Sequence, residues 1–261
     1  LITFSYSMPQ LQLLFLIFLR IGAIVLTAPV FDSPSIPVPF KAGLAVAVSF
    51  LLVPILGLEA VAYQPGFLPF AVGAASEVIM GLMIGISIRM LFAGVVLAGQ
   101  LVGYQMGLAM ADIMDPATSE QTPLLGQFNN LLAMLILLTL DAHHLFVKSL
   151  AASFQIVPPY GFRFGNAALD HFVGLGAEMF VIAIKLGAPL IAVLLLMSVA
   201  FGLAARAVPQ MNIFFVAGPL KILVGLLFLA FSLPYMSTFL AALMGGLGNR
   251  IVAILKAAGT G

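Results

Sequence analysis

Two clusters in this chain hold residue types that could do chemistry. Asp112 and Asp115 lie in the stretch "GYQMGLAMADIMDPATSEQTP", residues 103–123, and Asp141, His143 and His144 form "DAHH". Paired carboxylates that share a proton carry out aspartyl hydrolysis, and histidine with aspartate is a metal-ligand set. Neither spacing serves. An intramembrane aspartyl dyad takes its carboxylates from two separate helices, whereas Asp112 and Asp115 share one segment bounded by glycine and proline. Adjacent histidines point in different directions on a helix, and a third ligand at useful spacing is missing, so "DAHH" predicts a polar helix end at a membrane boundary. The sequence has no G-x-S-x-G, no H-E-x-x-H, no Walker loop and no G-x-G-x-x-G opening a helix. It therefore predicts no enzyme, no cofactor and no metal ion.

A second set of reactive side chains lies inside apolar runs: Arg20, Glu77, Arg89, Glu178, Lys185 and Lys221. A charge at the centre of a bilayer costs about 2.5–3.5 kcal/mol on insertion scales. Such residues must face protein, water or each other, and the sequence favours interhelical or intersubunit pairing over an ion path. Glu178 and Lys185 share a helix face but stand about 10 Å apart along it, too far for a tight pair.

The elements that carry these residues follow from composition. The chain has 261 residues, 63% hydrophobic and 7% charged, against about 45–50% and about 25% in soluble domains. That is an integral membrane composition. A net charge of +1 leaves no basic field for nucleic acid, and the absence of cysteine excludes a disulfide framework. Six apolar segments stand out, at 8–30, 42–58, 67–102, 124–140, 172–203 and 212–244. The first has no basic region ahead of Arg20 and does not match a signal peptide. A spanning helix takes about 20 apolar residues, so two segments are short and three are long. Pro29, Pro54, Pro189, Pro219 and Pro234 fall in or near them, and each invites a kink. Lys41, Lys148, Arg163, Arg206, Arg250 and Lys256 show no alternation between successive loops, so six plain spans do not satisfy the positive-inside rule. The expected fold is all-α, made of bent and broken helical hairpins.

Glycines recur at four-residue spacing, Gly81 with Gly85 and then Gly99, Gly103 and Gly107. They lay a smooth stripe on which another backbone can pack closely. Beyond them the run from Met106 to Thr122 reads as a helical entry, a break at Asp115-Pro116, a polar stretch with Glu120, and a restart after Pro123. Irregular backbone at membrane depth requires burial in protein or a water-filled cavity. Met106, Met110 and Met114 would form a soft stripe, and methionine fills irregular gaps and reseals after displacement. A segment of this kind could close a pore at rest.

The runs "PVFDSPSIPVPFKAGLAVAVSFLLVP", "GQLVGYQMGLAMADIMDP", "DAHH", "AP" at 188–189 and "RAVPQMNIFFVAGPLKILVGL" together resemble the FliR/SctT family of type III secretion export-gate proteins, along the whole chain and in order. The resemblance implies a helical hetero-oligomeric export gate in the flagellar basal body at the bacterial inner membrane. In it, one FliR-like chain completes a ring of FliP subunits with FliQ copies, FlhB wraps the assembly, and FlhA lies below. Unfolded flagellar proteins pass through, driven by the proton motive force with help from a separate ATPase. The resemblance further implies a FliP-like part at 1–175, a FliQ-like hairpin at 176–261, and a plug at 106–122 that includes Met106, Gly107, Met110, Asp112, Met114, Asp115, Pro116 and Glu120. Arg206, Asn212 and Lys221 fall in the matching "R…PQMN…PLK" motif and are expected at subunit contacts. Flagellar membership over the injectisome homologue rests on overall similarity. A secondary transporter would also use broken helices and midplane charges but should show internal repeats, and none is evident.

Overall fold

Long apolar runs have one local way to satisfy their own backbone in lipid, and that is the helix. The computed structural model describes residues 8–29, 31, 36–56, 65–108, 123–162, 165–207, 210 and 213–259. Among them are eight helices and no strand: α1 (Met8–Thr27), α2 (Val38–Leu56), α3 (Phe67–Met106), α4 (Leu124–Thr139), α5 (Ala142–Ile156), α6 (Asn166–Ala207), α7 (Ile213–Gly245) and α8 (Leu247–Gly259). Five helices are long and apolar enough to cross a membrane. The chain is an all-α membrane protein.

The six apolar segments correspond to α1–α4, α6 and α7; α5 and α8 are additional. Both escape a reading based on apolar runs because polar residues dilute them: His, Lys, Ser and Gln in α5, Asn249, Arg250 and Lys256 in α8. Periodicity is what marks α8. Leu247, Ile251, Ile254 and Leu255 are buried, at the spacing of one helix face, and α8 packs on α5. Pro54, Pro189, Pro219 and Pro234 lie inside continuous helices and do not end them. Membrane helices tolerate proline where neighbours and local adjustments satisfy the freed carbonyl.

The chain divides into two compact units. One comprises residues 1–90, 141–175 and 245–261, and the other residues 91–140 and 176–244. In the first, α1 packs on α2 and buries Leu16, Ile17, Ile21 and Ile24, one stripe of the helix. In the second, Val102, Met106, Leu125, Leu190 and Leu194 form a core from α3, α4 and α6. Ile222 and Leu229 of α7 pack against it.

Candidate functional site

The first unit contains a buried ion pair built from α1 and α3. Arg20 and Glu77 are both 0% exposed. Arg20 Nε donates to Glu77 Oε2 at 2.5 Å and Nη2 donates to Oε1 at 3.0 Å, a two-pronged contact. Nη2 also donates to the Val157 carbonyl at 3.0 Å, and Nη1 reaches the Ser153 carbonyl at 3.1 Å and Ser153 Oγ at 3.3 Å. A guanidinium has five N–H donors, and each has an acceptor here. The Phe154 ring lies 4.2 Å from the guanidinium carbon, within cation–π range. One charged group thus ties α1, α3, α5 and the turn after α5.

That turn is itself constrained. Tyr160 has φ +68, in the left-handed region, which costs an ordinary residue about 1–2 kcal/mol. Two contacts hold it: Gln12 Nε2 donates to Tyr160 Oη at 2.8 Å, and the ring lies on Gly73, where a Cβ would overlap it. Burial raises the Tyr160 pKa above 10.0, and the Glu77 carboxylate adds to the rise.

The remaining charges marked by the sequence are distributed. On the single chain, Arg89, Lys185 and Arg206 are exposed, while Glu178 and Lys221 are half-buried. Asn212 lies outside the described residues, as do Met110, Asp112, Met114, Asp115, Pro116 and Glu120. Asp141 is the N-cap residue of α5, at φ +50, and His143 and His144 lie in the first turn of that helix. Among the described residues, no three His, Cys, Asp or Glu side chains come together as a metal site.

The second unit contains the two helix ends that bracket residues 109–122. α3 stops at a defined cap: Leu108 N donates to the Gly103 carbonyl at 3.0 Å and Gly107 N donates to the Tyr104 carbonyl at 3.1 Å, with Gly107 at φ +82. This is the Schellman arrangement, in which glycine supplies the left-handed residue after the helix. Pro123 then sits at the N-cap of α4, and its carbonyl accepts from Gln127 N at 3.0 Å. The two stems touch at Gly99, where a Cβ would run into the Leu125 carbonyl. Gly103 meets only the end of Leu125, at an ordinary 3.9 Å. In the first unit Gly81 and Gly85 face α1 in the same close manner, against the Arg20 carbonyl and Thr27 Oγ1.

Met106, the last residue of α3, is fully buried and is part of the core. Its Cγ, Sδ and Cε lie across Gly225 of α7, within 2.7–2.8 Å of where a Cβ would stand. The residue read from sequence as the first of a soft loop stripe is therefore seated in a notch. Gly225, Asn129, Ser153, Phe154 and Tyr160 were not marked by the sequence reading. Asn129 carries a signal of its own, a polar residue within the apolar α4, buried to 3% exposure.

An all-helical membrane protein with glycine-seamed helices and a buried ion pair defines a broad class. Comparison with known proteins narrows it. Residues 11–247 match the family described as bacterial export proteins, family 1. The chain is 31% identical over 256 residues to the flagellar biosynthetic protein FliR of Escherichia coli (strain K12), covering 98% of this chain and 97% of that protein. It is 34% identical to the flagellar biosynthetic protein FliR of Bacillus subtilis (strain 168), with 82% and 83% covered. With the protein of the same description from Caulobacter vibrioides it shares 32% identity, with 86% and 89% covered. The chain belongs to the bacterial export proteins, family 1, with FliR proteins as its relatives.

Proposed function

We propose that this chain, a component of the flagellar export apparatus by family, is a core channel-forming subunit of the export gate. In this reading it completes a ring of FliP subunits with FliQ copies, contacts FlhB and FlhA, and passes unfolded flagellar proteins across the bacterial inner membrane. Residues 1–175 take the FliP-like place in the ring and residues 176–261 the FliQ-like hairpin. Residues 106–122 act as a plug that seals the pore at rest and yields when a substrate enters, a shift between closed and open populations. Arg89, Lys185 and Arg206, exposed on the single chain, and Asn212 with the half-buried Lys221, serve as subunit contacts.

The match to FliR along 98% of this chain and 97% of the relative carries the reading. The stems of the plug segment support it. Both are fixed, one by the Gly107 cap and the Met106 notch, the other by Pro123 and the Gly99 seam. A plug whose stems are capped and seated in this way can be displaced and return to the same register. The test is small-ion leak across membranes containing the co-expressed complex, with residues 106–122 intact or deleted and assembly confirmed in both. The expected result is a leak only on deletion. An intact assembly that stays tight without the segment would place the seal elsewhere.

A further inference from the structure

In the second unit, beside the seam of α3 and α4, lies a small, partly enclosed space that the plug reading does not use. Its volume is about 10 Å³, about the room one water molecule needs. Gly99, Ala98, Asn129, Gly187 and Met236 are among its walls. Asn129 is buried and its amide nitrogen donates to the Val95 carbonyl at 3.3 Å. Its Oδ1 is buried and has no hydrogen-bond partner among the described residues. An unsatisfied amide oxygen in such a place costs about 1–3 kcal/mol, and buried polar groups in native proteins nearly always have a partner.

A second acceptor borders the same space. Ala98 lines it together with Gly187, and a Cβ on Gly187 would stand 3.0 Å from Ile191 Cδ1 and 3.6 Å from the Ala98 carbonyl, so no side chain at 187 covers that carbonyl. Two acceptors, with room for one donor molecule, match the needs of water, which has two protons to give. A larger donor does not fit, and an apolar filler would leave Asn129 unsatisfied.

We propose that this cavity is a single-water site, with the water donating to Asn129 Oδ1 and to the Ala98 carbonyl. Asn129 then joins the two stems of the 106–122 segment twice, directly through Val95 and through the water to Ala98. The inference stands on the cavity and the orphaned oxygen, and does not depend on whether the segment seals a pore.

The test uses Met236, a cavity wall that is itself buried. X-ray radiolysis of the full chain, purified from membranes with the proteins that co-purify, splits bound water in place and oxidises the methionine beside it to sulfoxide. Met80 and Met244, both fully buried and not on this cavity, are the internal controls. Met236 is expected to oxidise several-fold faster than either, while hydrogen peroxide added from bulk leaves all three unmodified. Asn129→Leu is expected to bring Met236 down to the control rate. Three results would overturn the proposal: Met236 at the control rate in the native protein, Met236 open to bulk peroxide, or a fast rate unchanged by Asn129→Leu. The native comparison needs no variant, so a poorly folding Asn129→Leu protein leaves the proposal decidable. Ion leak is not part of this readout, so its failure and that of the plug reading are separate results.

Discussion

In the first unit a guanidinium on α1 directs every donor it has at partners from two other helices and a turn, whereas in the second the close contacts include a carbonyl over Gly99 and a methionine lying across Gly225. The two arrangements respond differently to displacement. Hydrogen bonds weaken steeply with angle, so the Arg20 cluster is either made or broken. Dispersion contacts are individually small and many, and a methionine can re-pack through its three rotatable bonds. The unit that holds the stems of residues 109–122 is thus the one built from contacts that can give by degrees. The difference teaches that a rigid frame and an adjustable seat can be made in one short chain by choosing charge for one and shape for the other.

Breaking the frame should have the largest effect. Glu77→Ala leaves Arg20 buried with its charge uncompensated, and loss of one partner of a buried pair costs about 3–5 kcal/mol. The expected outcome is a marked fall in the thermal aggregation midpoint of the detergent-solubilised complex. Arg20→Met combined with Glu77→Leu should recover most of that loss, because no charge remains to be buried. A single variant as stable as the parent would remove the distinction between the units.

The seat should respond less, and unevenly. Gly99→Ala places a methyl against the Leu125 carbonyl, and overpacking of this kind costs about 1–3 kcal/mol. Gly103→Ala, one turn on, meets open contact distance and should be neutral or better, since glycine inside a helix is worse than alanine by about 0.5–1 kcal/mol. Equal losses at both positions would show that the stripe as a whole, and not the Gly99 contact, is what the stems require.

Tyr160→Phe should sharpen the comparison by the smallest step. It removes the hydrogen bond from Gln12, worth about 0.5–1.5 kcal/mol. The sign with pH is set by the raised pKa: the folded unit keeps the Tyr160 proton where an unfolded chain has released it. That contribution is whole below the free value of 10.0 and is lost as pH rises past it through the higher folded value. Stability measured from neutral pH upward should therefore fall less steeply above pH 10.0 in Tyr160→Phe than in the parent.

Much of the frame was readable from residue types, and much of its wiring was not. Long apolar runs placed six of the eight helices because burying them in lipid leaves the backbone no other choice. Arg20 and Glu77 each stood out as a charge in such a run, but 57 residues separate them, and nothing local names a partner at that distance. Ser153 and Phe154 belong to α5, whose polar residues hid the helix and with it the rest of the cluster. The glycine stripe indicated where a backbone could approach α3, and the fold decides which glycines are met closely: Gly81, Gly85 and Gly99, with Gly103 left in ordinary contact. Met106 shows the limit of reading a spacing. Its four-residue interval to Met110 suggests one stripe, while its burial against Gly225 is set by α7, far along the chain.

The placement of α8 has a consequence for the order in which the molecule can be made. Its buried face packs on α5 in the first unit, although α7, translated just before it, belongs through Met244 to the second. A ribosome that has already released the first ninety residues has still not supplied every piece of the unit they build. The Arg20 cluster can form early, but the surface of α5 on which α8 rests stays uncovered until residues 247–259 emerge. A frameshift there would spare the second unit and leave the first with an open flank, so a membrane protease that samples unfinished chains would find its substrate at α5.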